Sequence, residues 1–220
     1  MSGIRAKCEE IRRSIPQNVT LVAATKERTA AEIQEAIAAG IEIAGENYVQ
    51  EAVRKYQEIG DSAKWHMIGH LQRNKVRDAL RVFSVIQSVD SLRLAREIDK
   101  QCGKSGRIMP VLLEINIAGE ETKYGITPED APDLVRQIAS FPNLQVEGLM
   151  TMEPYSDNPE NSRPYFKRMK QLFDEISSQN IPNAKMKILS MGMSGSYEVA
   201  IEEGSSMVRI GTGLFGPRSH

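Results

Sequence analysis

The stretch L-V-A-A-T-K at residues 21–26 decides how this chain is read. A short apolar run ends in a lysine, and a helical pattern starts at Thr29. Near the other end, M-V-R-I-G-T-G-L-F-G at residues 207–216 has the form of a strand running into glycines. If these are the first and last strands of one closed parallel sheet, they lie side by side. Lys26 and the residues after Ile210 then share the carboxyl-terminal rim, where such barrels place their chemistry.

The sequence between these ends supports closure. A leading amphipathic helix is predicted at residues 4–14, ended by Pro16. Strands are predicted at residues 21–24, 41–44, 64–69, 82–88, 109–117, 144–150, 187–190 and 207–210. The fifth, M-P-V-L-L-E-I-N-I, is apolar nearly throughout, as a strand buried on both faces should be. Helices are predicted between them: from Thr29 to about Ala39, from Asn47 onward, a short basic one from about Asn74, and at residues 91–102, 128–140, 165–178 and 196–203. Thr29 with Glu32 and Asn47 with Gln50 have the spacing of capping boxes. Gly40 suits a C-terminal stop. Strict alternation argues for a parallel sheet. Eight units in 220 residues fit an α/β fold of the compact (β/α)8 TIM-type barrel, with a doubly wound open sheet as the alternative. Residues 1–220 are read as a single barrel domain, because no repeat or linker marks a second.

Bulk properties narrow the function. With 40% hydrophobic and 26% charged residues the composition is that of a soluble globular protein. A net charge of −1 gives no general attraction to nucleic acid or anionic membrane. Cys8 and Cys102 do not suggest a disulfide framework, which points to a reducing cytoplasm. The charged first ten residues lack the apolar core of a signal peptide, and no apolar run approaches the roughly 20 residues of a membrane span.

Few residues stand out chemically. Lys26, at a strand end, is a candidate for a Schiff base, which requires its neutral amine. Arg209, set between Val208 and Ile210, is costly inside an apolar strand unless partnered. Its partner is either a carboxylate of the barrel interior or a ligand ring nitrogen, to which a guanidinium can only donate. G-T-G-L-F-G at residues 211–216 matches a dinucleotide fingerprint, but the long helix and later acidic residue that fingerprint needs are missing. Glycines after the last strand still suit a phosphate, and Met193, Ser194 and Gly195 after the seventh strand are placed to supply the other half of a phosphate site. His66 and His70 are poor co-ligands, since four strand residues span about 13 Å. Core packing and a loop contact are expected of them, no metal set is expected, and the methionines are expected to fill the core. His220 is assigned no role.

Taken in order, A-A-T-K at 23–26, G-E-N-Y-V-Q-E at 45–51, H-M-I-G-H-L-Q-R-N-K at 66–75, K-Y-G-I at 123–126, G-L-M-T-M at 148–152, S-M-G-M-S at 190–194 and V-R-I-G-T-G-L-F-G at 208–216 carry a resemblance. Over nearly its whole length the chain resembles the pyridoxal phosphate homeostasis proteins, the YggS or PROSC-like family. The resemblance implies a barrel similar to the N-terminal domain of alanine racemase, with pyridoxal 5′-phosphate (PLP) held on Lys26 as a Schiff base. It implies Arg209 facing the pyridine nitrogen, Ser194, Gly211 and Thr212 on the phosphate, and Asn47 close to the ring. It also implies a role in vitamin B6 homeostasis, and through it in amino-acid metabolism, without strong catalysis. The partners are then PLP and the apo-enzymes that use it, and a monomer is expected. One departure is Ser196, where many relatives are acidic; serine is expected to cap the local helix instead. The competing readings are an amino-acid racemase, which needs a second base opposite Lys26, and a Schiff-base aldolase, which by fold analogy carries its lysine later in the barrel.

Overall fold

The computed structural model describes residues 3–120 and 122–217; Glu121 of the polar loop and His220 lie outside them. Eight parallel strands close into a barrel in chain order. They are β1 (Thr20–Ala24), β2 (Ile43–Glu46), β3 (Lys64–Met67), β4 (Val85–Val89), β5 (Met109–Ile115), β6 (Leu144–Thr151), β7 (Ala184–Ser190) and β8 (Met207–Ile210). The seam pairs Leu21 with Val208 and Val22 with Arg209, so the two stretches that opened the sequence reading are neighbours. Helices α1 (Gly3–Ser14), α2 (Ala30–Ala38), α3 (Val49–Ile59), α4 (Val76–Ala79), α5 (Leu92–Ser105), α6 (Ala131–Ala139), α7 (Arg163–Ser178), α8 (Tyr197–Glu202) and α9 (Thr212–Phe215) complete the chain.

Local chemistry explains most boundaries. Thr29 and Glu32 form the expected reciprocal capping box on α2. Ser91 caps α5 through the N–H of Leu94, and Gly106 ends that helix in the left-handed conformation. The apolar stripe of α7, Phe166, Met169, Leu172 and Ile176, recurs every three or four residues and is buried against the barrel. Two expectations need correction. β2 starts at Ile43 rather than at 41, because the N–H of Ile41 bonds to Ala36 O and completes the exit of α2. Asn47 does not cap α3; Tyr48 holds that position and makes no side-chain cap. The short helix α9 lies within G-T-G-L-F-G.

The barrel has two apolar layers. Outside it, helix stripes pack on outward-facing strand residues such as Val111, Leu113 and Ile115. The lumen holds a small cluster of Val22, Ile43, Ile68 and Met207. Beside that cluster runs a buried polar chain. Arg209 donates to Ser190 Oγ, Ser190 donates to Gln87 Oε1, and Gln87 Nε2 meets His66 Nδ1. β6 needs Gly148 (φ 155), because a Cβ there would lie 1.8 Å from the carbonyl oxygen of Ile188. Cys8 and Cys102 are buried free thiols. Among the described residues no helix is long and apolar enough to cross a membrane.

Candidate functional site

At the carboxyl-terminal rim lies a cavity of about 370 Å³. Lys26, Asn47, Met193, Ser194, Arg209, Gly211 and Thr212 all line it, although they come from opposite ends of the chain. Its size is within the range of small-molecule sites. Lys26 lies just past β1 and is half-buried. Beside β1, Arg209 projects from β8 and is only 4% exposed. Its Nη1 donates to Ser190 Oγ at 2.7 Å and its Nη2 to Thr151 O at 2.7 Å. Its direct partners are therefore a hydroxyl and a carbonyl, not the carboxylate that a structural reading had suggested. Burial pulls the guanidinium pKa below its usual value, opposed by Glu153 and Glu114 at longer range.

The loops after β7 and β8 meet at one hydroxyl. Ser194 Oγ accepts the N–H of Gly211 at 3.1 Å and of Gly213 at 3.2 Å. With its oxygen accepting twice, the Ser194 hydroxyl has its own O–H to offer to the cavity. Gly211 brings the backbone close to β1, where a Cβ would lie 3.3 Å from Ala24 O. Met193 contributes wall but not its N–H, which donates to Ser196 Oγ at 3.0 Å. Ser196 does not cap α8 through its side chain, as had been expected; its hydroxyl donates to Glu153 Oε1. Glu153 is 5% exposed, lines the cavity, and has a second carboxylate oxygen without a partner.

A second cavity of about 450 Å³ opens on the same rim and shares Asn47, Ile68 and Met152 with the first. Glu114 lines it at 7% exposure, and one of its oxygens also lacks a partner. Burial, then repulsion from Asp90, pushes the Glu114 carboxyl up to about 7 against the pull of Arg209. His70 fills the expected loop role: it stacks on Tyr124 with centroids 3.8 Å apart and pairs with Asp90 at 3.2 Å. His66 packs inside the barrel, and burial, then Lys64, pushes it down to about 4, so its ring is neutral at pH 7. Met150 and Met191 fill the core as expected, but Met152 is 40% exposed and lines both cavities. Sequence reasoning missed Glu114, Glu153 and Tyr155. Glu114 carried a usable signal, a lone acid in an apolar strand, of the same kind that identified Arg209. Glu153 and Tyr155 sit in a polar loop and carried none.

Comparison with known proteins gives the family and the fold. The family described as alanine racemase, N-terminal domain, matches residues 1–219. The pyridoxal phosphate homeostasis protein of Aquifex aeolicus is 42% identical over 221 residues, covering 100% of this chain and 96% of that protein. A structure of PipY from Synechococcus elongatus PCC7942 with PLP bound superposes with a TM-score of 0.89 at 35% identity, covering 97% of this chain and 100% of that one. The alanine racemase of Clostridium difficile 630 in complex with cycloserine gives a TM-score of 0.82 at 16% identity, covering 99% of this chain and 60% of that one. That last likeness concerns the fold alone.

Proposed function

The chain belongs to the family of pyridoxal phosphate homeostasis proteins, and from that premise we propose that its barrel holds PLP through Lys26 and works as a cytoplasmic, monomeric carrier rather than as an enzyme. One observation carries the reading: an amine, a guanidinium and a serine hydroxyl converge on one cavity. Lys26, Arg209 and Ser194 offer donors or cations, which suits a ligand with a dianionic phosphate and an acceptor ring nitrogen. The aldehyde of bound PLP supplies a carbon that condenses reversibly with a primary amine. Lys26 supplies that amine. Ser194 and the backbone at Thr212 would orient the phosphate, Gly211 would let the chain come close to it, and Asn47 would lie beside the ring. Arg209 has no acceptor atom, so a ring nitrogen facing it is held without a proton, and the ring is a weaker electron sink.

The rim supports holding over turnover. Tyr155 is 89% exposed and Met152 40% exposed at the mouth, so water has access. Poor exclusion of water weakens the electrostatic help that carbanion chemistry needs. The test is the absorption spectrum before and after borohydride, followed by peptide mass spectrometry. A yellow protein with the reduced adduct on Lys26 is expected, with loss of the band in Lys26→Ala. Adduct on Lys123 instead refutes the assignment. Incubation with single amino-acid enantiomers in deuterated water should give negligible α-deuteration; fast uptake dependent on Lys26 favours a racemase.

A further inference from the structure

The motif G-E-N-Y-V-Q-E contains two carboxylates, Glu46 and Glu51, that do not line the cofactor cavity. They belong to a cluster behind Lys26. Lys55 Nζ donates to Thr25 O at 2.6 Å, to Glu46 Oε1 at 2.6 Å and to Glu51 Oε1 at 2.7 Å. Thr25 Oγ1 donates to the same Glu46 oxygen at 2.6 Å. Glu51 Oε1 in turn accepts the backbone N–H of Glu27 at 2.6 Å. Thr25 O and the N–H of Glu27 belong to the two peptide groups on either side of the Lys26 Cα. One cluster therefore grips both peptide planes that set the backbone of Lys26. Glu46 is fully buried and Lys55 is 6% exposed, so the inner half of this grip is dry, whereas the bond from Glu27 to Glu51 lies at its exposed edge.

The backbone it grips is unusual. Glu27 has φ 61, in the left-handed region. Among the described residues only Asn180 and Asn183 share a positive φ without being glycine, and asparagine tolerates it better than glutamate. Such a conformation persists where surrounding contacts over-determine it. The left-handed residue directly follows the lysine, and its N–H is bonded to a carboxylate from another helix.

We infer that Glu51 is a positioning residue for Lys26: by holding the N–H of Glu27 it keeps the turn after β1 in the left-handed form that delivers the Lys26 amine to the cavity. This rests on the proposed role of Lys26 but concerns the turn, which can be read without cofactor. A purely architectural alternative has Glu51 only fastening α3 to the barrel. The two differ in what rescues a variant. Glycine adopts positive φ without steric cost, so Glu27→Gly supplies by conformational freedom what the Glu51 contact supplies by bonding.

The experiment uses cofactor-free protein and trace acetic anhydride, with Lys26 acetylation counted by mass spectrometry against the other lysines from pH 7 to 10. PLP loading is followed in parallel by the visible band, and folding by thermal melting. Glu51→Ala is expected to change the Lys26 labelling profile and to lower PLP affinity about tenfold, as releasing one left-handed non-glycine residue allows. Glu27→Gly alone, which also removes the Glu27 side chain, sets the baseline. Glu51→Ala with Glu27→Gly is expected to return affinity and labelling to within about twofold of that baseline. A wild-type profile for Glu51→Ala overturns the inference, and so does a double variant no better than the single. Should Glu51→Ala not fold, Glu51→Gln replaces it; a loss relieved by Glu27→Gly is expected, and no loss, or a loss that Glu27→Gly does not relieve, overturns the inference. If the wild type takes up no PLP, the function proposed above fails, while the labelling contrast still reads the turn.

Discussion

Replacing Glu114 by glutamine should expose a pH dependence of stability that the wild type conceals. Burial, with Asp90, raises the folded-state pKa of Glu114 from 4.5 to about 7. Burial, with Lys64, lowers that of His66 from 6.5 to about 4. Each of these two differences between folded and unfolded chain is worth about 3 kcal/mol. The signs are opposite. The native state holds the Glu114 proton more tightly than the unfolded chain does, so this contribution is full below pH 4.5 and is lost as pH rises through about 7. The native state holds a His66 proton less tightly, so its contribution is full above pH 6.5 and is lost as pH falls through about 4. The windows overlap, and in the wild type the two slopes offset each other. Of this pair only His66 remains in Glu114→Gln, and stability should gain about 3 kcal/mol relative to wild type between pH 4.5 and 7. His66→Gln should lose a similar amount relative to wild type between pH 4 and 6.5, whatever its offset from the broken bond to Gln87. Urea unfolding at half-unit pH intervals, followed by fluorescence of the single, buried Trp65, measures both differences. A Glu114→Gln curve parallel to wild type across this range would refute the account of Glu114.

Arg209→Gln removes a buried cation and both of its donated bonds, and should weaken PLP retention by about tenfold or more. Its visible spectrum should shift, and Glu114 should titrate higher without the guanidinium that opposes burial; an unchanged spectrum and affinity would make Arg209 a framework residue. Gly148→Ala forces a Cβ against Ile188 O in a backbone conformation that suits glycine, and should cost about 4 kcal/mol or more. A urea midpoint equal to wild type would show that β6 and β7 separate there without penalty.

The architecture was legible because several strands, β1, β5 and β8 among them, are short runs of mainly apolar residues in alternation with helical patterns, and β8 was placed without error. Boundaries drifted where a helix exit borrows residues from the next strand, as Ile41 does for α2. All seven candidate site residues line one cavity, because strand ends and barrel closure are consequences of pattern and order. The function of Asn47 as a cap was misread, because a capping box can be spelled by residues that the chain uses otherwise. The cluster of Thr25, Glu46, Glu51 and Lys55 was invisible, since nothing in linear spacing says that a lysine on α3 reaches back to β1. Left-handed Glu27 was equally hidden, because glutamate gives no signal for that conformation.

The seam between β1 and β8 also governs when the site can exist. Lys26 leaves the ribosome long before Ser194, Arg209 and Gly211. Until β8 arrives, the edges of β1 and β7 are unpaired and open to wrong neighbours. A nascent chain with seven strands therefore has Lys26 but not Arg209 and Gly211 beside it. On the proposed site, cofactor capture waits on closure of the barrel, and once made it favours the closed form over every partly built one.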